Sequence, residues 1–377
     1  MKNSLCGLYV HIPFCIRKCN YCDFLSFPME ADGRMEYVRL LAEEMALWKK
    51  TVSACKVDTI FIGGGTPSVL EPAEMDVLFR VIHDTFSLER VTEFTMECNP
   101  GTVTGEKLRL MREAGVNRIS FGMQSTINRE LDLLGRIHTY EEFVKSYELS
   151  RRIGFENINI DLMSSIPEQT SESYEKSLQR VVQLAPEHIS SYSLIVEEGT
   201  PFFEQYGENP PVDEDTDRNM YERTKEVLSA AGYDRYEISN YAKKGKECRH
   251  NLKYWRREDY LGVGLGAASC MGHRRFCNES SLKNYKDRIH NGQIPTAESE
   301  ELTKEDEMAE FMYLGLRCMK GISTESFEQI FQEDFDARYG DTVKELVSQG
   351  LLEKHDDWIR LTLQGINLSN RVFVKFI

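Results

Sequence analysis

Three cysteines fall within eight positions, Cys15-Ile-Arg-Lys-Cys19-Asn-Tyr-Cys22, in a chain of 377 residues whose other seven cysteines are scattered. Thiolates are the soft ligands that hold zinc and iron–sulfur clusters. A structural zinc site wants two ligand pairs a dozen or more residues apart, and the pair Cys248-x-His250 is too closely spaced to complete one. Three thiols in one loop can instead hold three irons of a [4Fe–4S] cubane. The fourth iron is then left without a protein ligand, an open position at which a reactive partner can bind. Cys15, Cys19 and Cys22 are read as the ligands of such a cluster.

What must position that loop is a succession of strands and helices. Apolar segments of strand length recur at residues 8–13, 57–63, 93–98, 118–123, 157–163 and 189–196, each followed by a polar or glycine-containing turn. Helical periodicity occupies 35–49, 74–85, 105–113, 140–153, 173–184 and 217–231, and a further short strand is expected near 236–238. Such alternation predicts parallel βαβ units. Six of them, with no Gly-rich dinucleotide fingerprint, predict an α/β fold built on a partial (β/α)6 TIM-like barrel over residues 1–240. Beyond Asn240 the rhythm stops, and 241–298 read as a connecting segment. From residue 299 to 377 the pattern is that of a small winged-helix-like α+β domain: helices at 304–318, 323–331 and 341–349, short strands at 351–353 and 358–363, and a last helix at 363–372.

A winged helix invites a DNA-binding reading, but residues 300–377 carry 16 Asp or Glu against 9 Lys or Arg, and the whole chain has a net charge of −15. Phosphate backbones are met by clustered cations, so no nucleic-acid partner is expected. No apolar run approaches the roughly 18 residues needed to cross a bilayer, and the first fifteen residues lack the features of a signal peptide. A cytoplasmic protein, not an integral membrane one, is expected, and its cysteines are not a disulfide framework.

The pattern C-x3-C-x-aromatic-C behind a first strand resembles the radical SAM superfamily. The wider stretch from Tyr9-Val-His-Ile-Pro-Phe-Cys15 to Phe24 resembles its coproporphyrinogen oxidase-like branch, a likeness that runs over roughly residues 5–370. It implies that the amino and carboxylate groups of S-adenosylmethionine chelate the open iron. An electron from the cluster then cleaves the sulfonium to a 5′-deoxyadenosyl radical. By the same resemblance Tyr21 lies against the adenine, and Gly64, Gly65 and Thr66 meet the methionine amino group, glycine permitting close backbone approach. Glu97 and Tyr9 fall on the polar side of the cofactor, Gln124 and Asp161 reach the ribose hydroxyls, and Arg136 pairs with the methionine carboxylate, a task suited to a planar guanidinium. These residues occur at successive strand ends, where barrel enzymes keep their chemistry. A structural ion pair is the plainer alternative for Asp161, since a carboxylate in an apolar strand needs a partner.

Within that branch two functions of different class compete: oxygen-independent coproporphyrinogen III oxidase, and the heme chaperones that deliver heme to acceptor hemoproteins. The oxidase pattern adds a fourth cysteine as C-x-C, whereas Cys22 is followed here by Asp23 and Phe24, and only eight residues precede Tyr9 where the oxidase carries an extension. His250-Asn-Leu-Lys-Tyr254-Trp255 matches the H-N-x-x-Y-W motif of the chaperones. Neutral imidazole is a common axial ligand of heme iron, and Tyr254 and Trp255 offer flat surface to a porphyrin. A simple turn cap is the alternative for His250, and Cys248 is a second possible ligand. Ala268 stands where many relatives carry His. An RNA-modifying radical SAM enzyme would need a basic stripe that this acidic chain lacks. The expectation is a heme chaperone carrying a [4Fe–4S] cluster and S-adenosylmethionine, with heme, an acceptor hemoprotein and an electron donor as partners; whether it also catalyses a reaction is left open.

Replacing any one of Cys15, Cys19 or Cys22 by Ala is expected to abolish the broad iron–sulfur absorbance near about 400 nm in anaerobically reconstituted protein. The same change at Cys55, Cys98 or Cys318 should leave it intact. Equal loss from a distant cysteine would refute the three-ligand assignment.

Overall fold

The structure, a computed structural model, describes residues 5–51 and 56–377; Cys55, expected to be remote from the cluster, lies outside them. Strands β1 (Leu5–Ile12), β2 (Lys56–Gly64), β3 (Glu93–Cys98), β4 (Arg118–Gln124), β5 (Ile158–Ser164) and β6 (His188–Ser193) pair side by side in that order, all parallel. Helices Ala31–Thr51, Pro72–Thr85, Gly105–Glu113, Tyr140–Ile153, Ser171–Leu184 and Glu214–Ala230 follow the strands in turn. Side chains alternate across each strand, and most of the sequence follows that alternation. Leu8, Val10, Ile12, Ile60, Ile62, Ile119, Phe121, Ile158 and Ile160 are fully buried in the main core with residues of these helices. The intervening positions, among them Tyr9, His11, Thr59, Glu97, Arg118, Asn159 and Asp161, face the barrel interior instead. A β/α barrel normally fills its interior with branched apolar residues; this one fills it with polar groups.

The sheet does not end at β6. Beyond it β8 (Asn240–Ala242) pairs antiparallel to β6 and β7 (Asp234–Arg235) pairs antiparallel to β8, and the strand expected at 236–238 is the turn between them. On the other flank β9 (Tyr260–Val263) runs parallel to β1, followed outward by β10 (Ala268–Met271), β11 (Arg274–Asn278) and β12 (Thr296–Glu301). The stretch read as a connector therefore extends the same twelve-stranded sheet. Its strands escape a periodicity search because ladder pairing and cross-strand charge stabilise them. The edge strand β12 is Thr-Ala-Glu-Ser-Glu-Glu, with Arg274 opposite Glu301 and Arg275 opposite Glu300.

One buried carboxylate fastens this flank to the barrel. Glu44, on the first helix, has no exposed surface and accepts hydrogen bonds from Gly264 N (2.7 Å), Asn278 Nδ2 (2.7 Å), Tyr285 OH (2.5 Å) and Trp48 Nε1 (3.3 Å).

The C-terminal module has its own core around Met312, Phe327, Phe335 and Ile359. Helices Lys304–Gly315, Thr324–Phe331 and Phe335–Ser348 pack with a small sheet of β13 (Ile322–Ser323), β14 (Leu352–His355) and β15 (Trp358–Leu361). Its third helix starts six residues before the expected 341 because Asp334 caps it, accepting from Ala337 N at 2.6 Å. The expected helix 363–372 is broken at Leu368 into Leu363–Asn367 and Ser369–Phe373. Helices Asn128–Leu133 and Pro201–Tyr206 were not expected, being too short to show a period. No helix among the described residues is long and apolar enough to cross a membrane.

Glu44→Ala would leave several buried donors without an acceptor, and is expected to lower the unfolding free energy by about 3 kcal/mol or more, read by urea denaturation. Glu44→Gln, which keeps an acceptor oxygen, should cost less than half as much. A cost below about 1 kcal/mol for Ala would show that the flank does not depend on this anchor.

Candidate functional site

The cluster loop leaves β1 at the C-terminal end of the barrel, and backbone bonds fix both its edges. Cys15 N donates to Phe27 O (3.1 Å) and Asn20 N to Leu134 O (3.0 Å). Cys15, Cys19 and Cys22 are all partly exposed. Among the described residues no group of three or more His, Cys, Asp or Glu side chains is placed to hold a single metal ion. The three thiols still feel one another: burial raises the Cys22 thiol pKa, and the charges of Cys19 and Cys15 add to that. Arg136 Nη1 lies 3.5 Å from Cys19 Sγ, and the Thr66 hydroxyl 3.4 Å from Cys15 Sγ.

Behind the loop the predicted cofactor residues gather into one chamber. Arg136 Nη2 donates to Asn99 Oδ1 (2.7 Å) and Gly122 O (2.6 Å), and Asn99 Nδ2 donates to Thr66 Oγ1 (2.9 Å). Gly64 has φ +110°, and a Cβ there would meet the His11 ring at 2.5 Å, so only glycine serves. Its N–H donates to Glu97 Oε2 at 3.1 Å. Gly65 N donates to Ile12 O and Thr66 N to Phe14 O, which locks this turn against β1. Gln124 ends β4 at φ 70° and accepts from Tyr192 OH at 3.0 Å. Tyr21 packs against an apolar patch of Leu134, Met163, Ile166, Leu194 and Phe202 under the loop. Asp161 accepts from Asn159 Nδ2 at 2.7 Å. Glu97 and Asp161 share this enclosure: burial, then the Asp161 charge, push the Glu97 carboxyl up to about 8. Burial also raises the Asp161 pKa.

Several residues here were not singled out from the sequence. His11 Nε2 donates to Leu25 O (3.0 Å), so its Nδ1 accepts from the Tyr9 hydroxyl (2.9 Å) and ties the chamber to the exit of the cluster loop. Asn99 bridges Arg136 and Thr66. A chain runs from Tyr236 OH to His188 Nε2 (2.8 Å), from His188 Nδ1 to Asn159 Oδ1 (2.6 Å), and on to Asp161. The available signal was polar residues at alternate positions of otherwise apolar strands.

The H-N-x-x-Y-W motif forms helix Arg249–Trp255, which packs on β2 from one side and on helix Lys304–Gly315 from the other. Glu93 accepts from Arg249 N and His250 N at 2.9 Å each, which satisfies the start of the helix. His250 is fully buried, with one ring nitrogen bonded to Thr59 Oγ1 and the other to Tyr254 OH, both at 2.9 Å. Its close approach depends on Gly7, where a Cβ would lie 2.9 Å from the imidazole. Burial drives the imidazole pKa down to about 3, so it is neutral. As arranged, both nitrogens are engaged, and iron would reach one only after Thr59 or Tyr254 gave way. Cys248 is buried, its thiol pushed up to about 12 by burial and directed at Glu93 Oε1 (3.5 Å). Ala268 is exposed at the start of β10.

Residues 9–181 match the family model of the Radical SAM superfamily, and residues 302–368 that of the HemN C-terminal domain. Fold and cysteine loop together define the class, a radical SAM protein. Over its full length the chain is 38% identical to the heme chaperone HemW of Bacillus subtilis, covering 98% of each chain, and 35% identical to that of Escherichia coli, again covering 98% of each. The solved coproporphyrinogen III oxidase HemN of Escherichia coli superposes with a TM-score of 0.86 at 23% identity, covering 100% of this chain and 90% of that one. The chain belongs to the HemW family of radical SAM proteins. Radical SAM membership implies a [4Fe–4S] cluster and S-adenosylmethionine, and the chamber fits both. Three thiols line one loop, and inside it Arg136 Nε and Thr95 Oγ1 are buried without a partner. Cys15, Cys19 and Cys22 would hold the cluster, and Arg136, Glu97, Asp161, Gln124, Tyr9, Tyr21 and the Gly64–Thr66 backbone would hold the cofactor. When bound, such a cluster would supply the electron for sulfonium cleavage, and the residues named here would bind and orient the cofactor.

Arg136→Ala and Asp161→Ala are each expected to weaken S-adenosylmethionine binding by about tenfold or more while sparing cluster absorbance, since each removes charge-assisted hydrogen bonds. A cationic ligand beside Glu97 favours its carboxylate. Binding should therefore release a proton near neutral pH, and affinity should rise between about pH 6.5 and about pH 8.5 and then level off. Calorimetry in two buffers of different ionisation enthalpy checks this, and Glu97→Gln should flatten the profile. Unchanged affinity in both Ala variants would remove these residues from the cofactor site.

Proposed function

We propose that this protein is a cytoplasmic heme chaperone, which binds heme and passes it to an acceptor hemoprotein while carrying a [4Fe–4S] cluster and S-adenosylmethionine. The observation that carries the reading is the whole-chain similarity to HemW chaperones, joined to an intact His250-Asn-Leu-Lys-Tyr254-Trp255 helix lodged against the barrel. The absence of a cysteine at positions 23 and 24, where the oxidase pattern has one, supports it further. Likeness to the oxidase structure bears on fold alone at this level of identity.

In this reading His250 is the iron ligand, and it serves once its bond to Tyr254 is exchanged for iron. That exchange suits a carrier: a ligand already satisfied in the empty state binds heme reversibly, because release of the iron restores its hydrogen bond to Tyr254. Tyr254 and Trp255 supply flat surface for the porphyrin. An electron donor for the cluster and an acceptor hemoprotein are the partners that the function requires.

Titration of anaerobically reconstituted protein with heme is expected to give saturable binding with a shifted Soret band, and His250→Ala should lose most of that affinity while the cluster survives. Cys248→Ala should do less. The same preparation with S-adenosylmethionine and a reductant should not convert coproporphyrinogen to protoporphyrinogen. Robust turnover, with heme binding indifferent to His250, would place the chain among the oxidases instead.

A further inference from the structure

Polar side chains on β4, β5 and β6 stand at two matching levels of the ladder. Ser120 is beside Asn159, and Asn159 beside His188; two residues higher, Gly122 is beside Asp161, and Asp161 beside Ser190. The lower level is closed, with Ser120, Asn159 and His188 all buried. Asp161 and Ser190, on the upper level, keep some surface open. A barrel interior is ordinarily filled by branched apolar side chains at such positions, so polar groups here have to be satisfied by one another.

They are satisfied by a chain of hydrogen bonds that has a single direction. Cys248 N donates to Tyr236 OH (3.3 Å), and that hydroxyl donates to His188 Nε2 (2.8 Å). The ring hydrogen therefore sits on His188 Nδ1, which donates to Asn159 Oδ1 (2.6 Å); Ser190 Oγ donates to the same oxygen at 3.2 Å. The Asn159 amide nitrogen donates to Ser120 Oγ (2.8 Å) and to Asp161 Oδ1 (2.7 Å). Both hydrogens and both lone pairs of the amide are used. Turning it over would set its oxygen against the Asp161 carboxylate. The carboxylate thus fixes the amide, the amide fixes the His188 tautomer, and the tautomer fixes the Tyr236 hydroxyl. Burial holds the His188 pKa well below its usual value, so the ring stays neutral as the chain needs. Burial raises the Asp161 pKa, and the Asn159 hydrogen bond and the charges of Arg118 and Arg136 oppose that rise. An ionised carboxylate only accepts, and it has more acceptor sites than Asn159 uses. What it can recognise across the chamber is a group with O–H donors, and a vicinal diol offers two.

We propose that Tyr236, His188 and Asn159 are positioning residues that make the chamber selective for the ribose hydroxyls of S-adenosylmethionine, by holding Asp161 as an acceptor aimed at them. A site built to accept hydrogen bonds from a ligand's hydroxyls rejects an analogue that lacks them, because its buried acceptor is then left unpaired. The proposal rests on the assignment of Asp161 to the cofactor and is independent of the heme-chaperone reading. It adds three buried residues, none of them in the cofactor's reach, on which the discrimination depends.

The test compares S-adenosylmethionine with its 2′,3′-dideoxy analogue, which lacks both ribose hydroxyls, by calorimetry on full-length, anaerobically reconstituted protein. Wild-type protein is expected to bind S-adenosylmethionine about tenfold or more tightly than the analogue. His188→Phe should weaken S-adenosylmethionine binding about fivefold or more and leave analogue affinity and cluster absorbance unchanged, so that the two affinities converge. His188→Asn, which keeps a donor near the place of Nδ1, should retain most of the selectivity; a merely structural histidine would tolerate Asn no better than Phe. Should His188→Phe fail to retain its cluster, Tyr236→Phe, which removes a single hydroxyl, provides the same comparison and is expected to narrow the ratio in the same sense. Equal losses for both ligands in these variants, or a selectivity indifferent to them, would overturn the positioning role while leaving Asp161 at the ribose. Wild-type protein that binds both ligands equally would remove Asp161 from the ribose hydroxyls, and the role of the chain with it.

Discussion

Charge buried inside a parallel barrel governs this molecule. The inward faces of β1–β6 carry Glu93, Glu97, Arg118, Asp161 and His188 in a space closed by the strands themselves. Every such group must find a partner or lose its charge. Arg118, almost wholly buried, sits within electrostatic reach of Glu93, Asp161, Cys248 and Tyr236. Glu93 spends its carboxylate on the start of helix Arg249–Trp255, which draws the motif helix against the barrel. His188 is held neutral by burial and serves as a relay of hydrogen bonds between Tyr236 and Asp161. These needs are met by the chain, except that Arg118 Nε has no hydrogen-bond partner.

One layer higher they are not. Glu97 and Asp161 face the same volume, and Arg136 is turned toward Asn99, Gly122 and Cys19. The outcome is a carboxyl whose proton is held to about pH 8 and buried donors left open. A ligand with a sulfonium, an ammonium and a carboxylate supplies the charges that the chamber lacks. Uncompensated polarity thus lies where the cofactor would sit, and the turn at Gly64 and Gly65 is locked in place by its own backbone N–H groups, which donate to Glu97 and to β1.

The same accounting links the cofactor chamber to the motif helix. Tyr254 bonds His250 and lies within electrostatic reach of Tyr9 and Glu97, so the two sites share a wall. Tyr236 belongs both to the seam with the C-terminal module, through its carbonyl, and to the chain leading to Asp161, through its hydroxyl.

The sequence by itself determined a great deal. Cys15, Cys19 and Cys22 are separated by so few residues that chain connectivity alone confines them to one loop. The alternation of apolar segments with helical periods is strong enough to dictate six parallel βα units, because each strand's outer face must bury residues such as Leu8, Ile62 and Phe121 against a helix. What only tertiary structure decided is whatever depends on groups far apart in the chain. The strands at 260–278 and 296–301 exist through pairing and through Glu44, some 220 residues before Gly264, and no local pattern carries that information. The composition of H-N-x-x-Y-W spoke for an imidazole near a flat ligand, yet only packing shows that His250 is engaged by Thr59 and Tyr254 and admitted by Gly7. Residue type and spacing fix which chemistry is possible within a loop. Burial and long-range hydrogen bonding fix whether a side chain is open, occupied or charged, and those depend on neighbours that a linear sequence does not reveal.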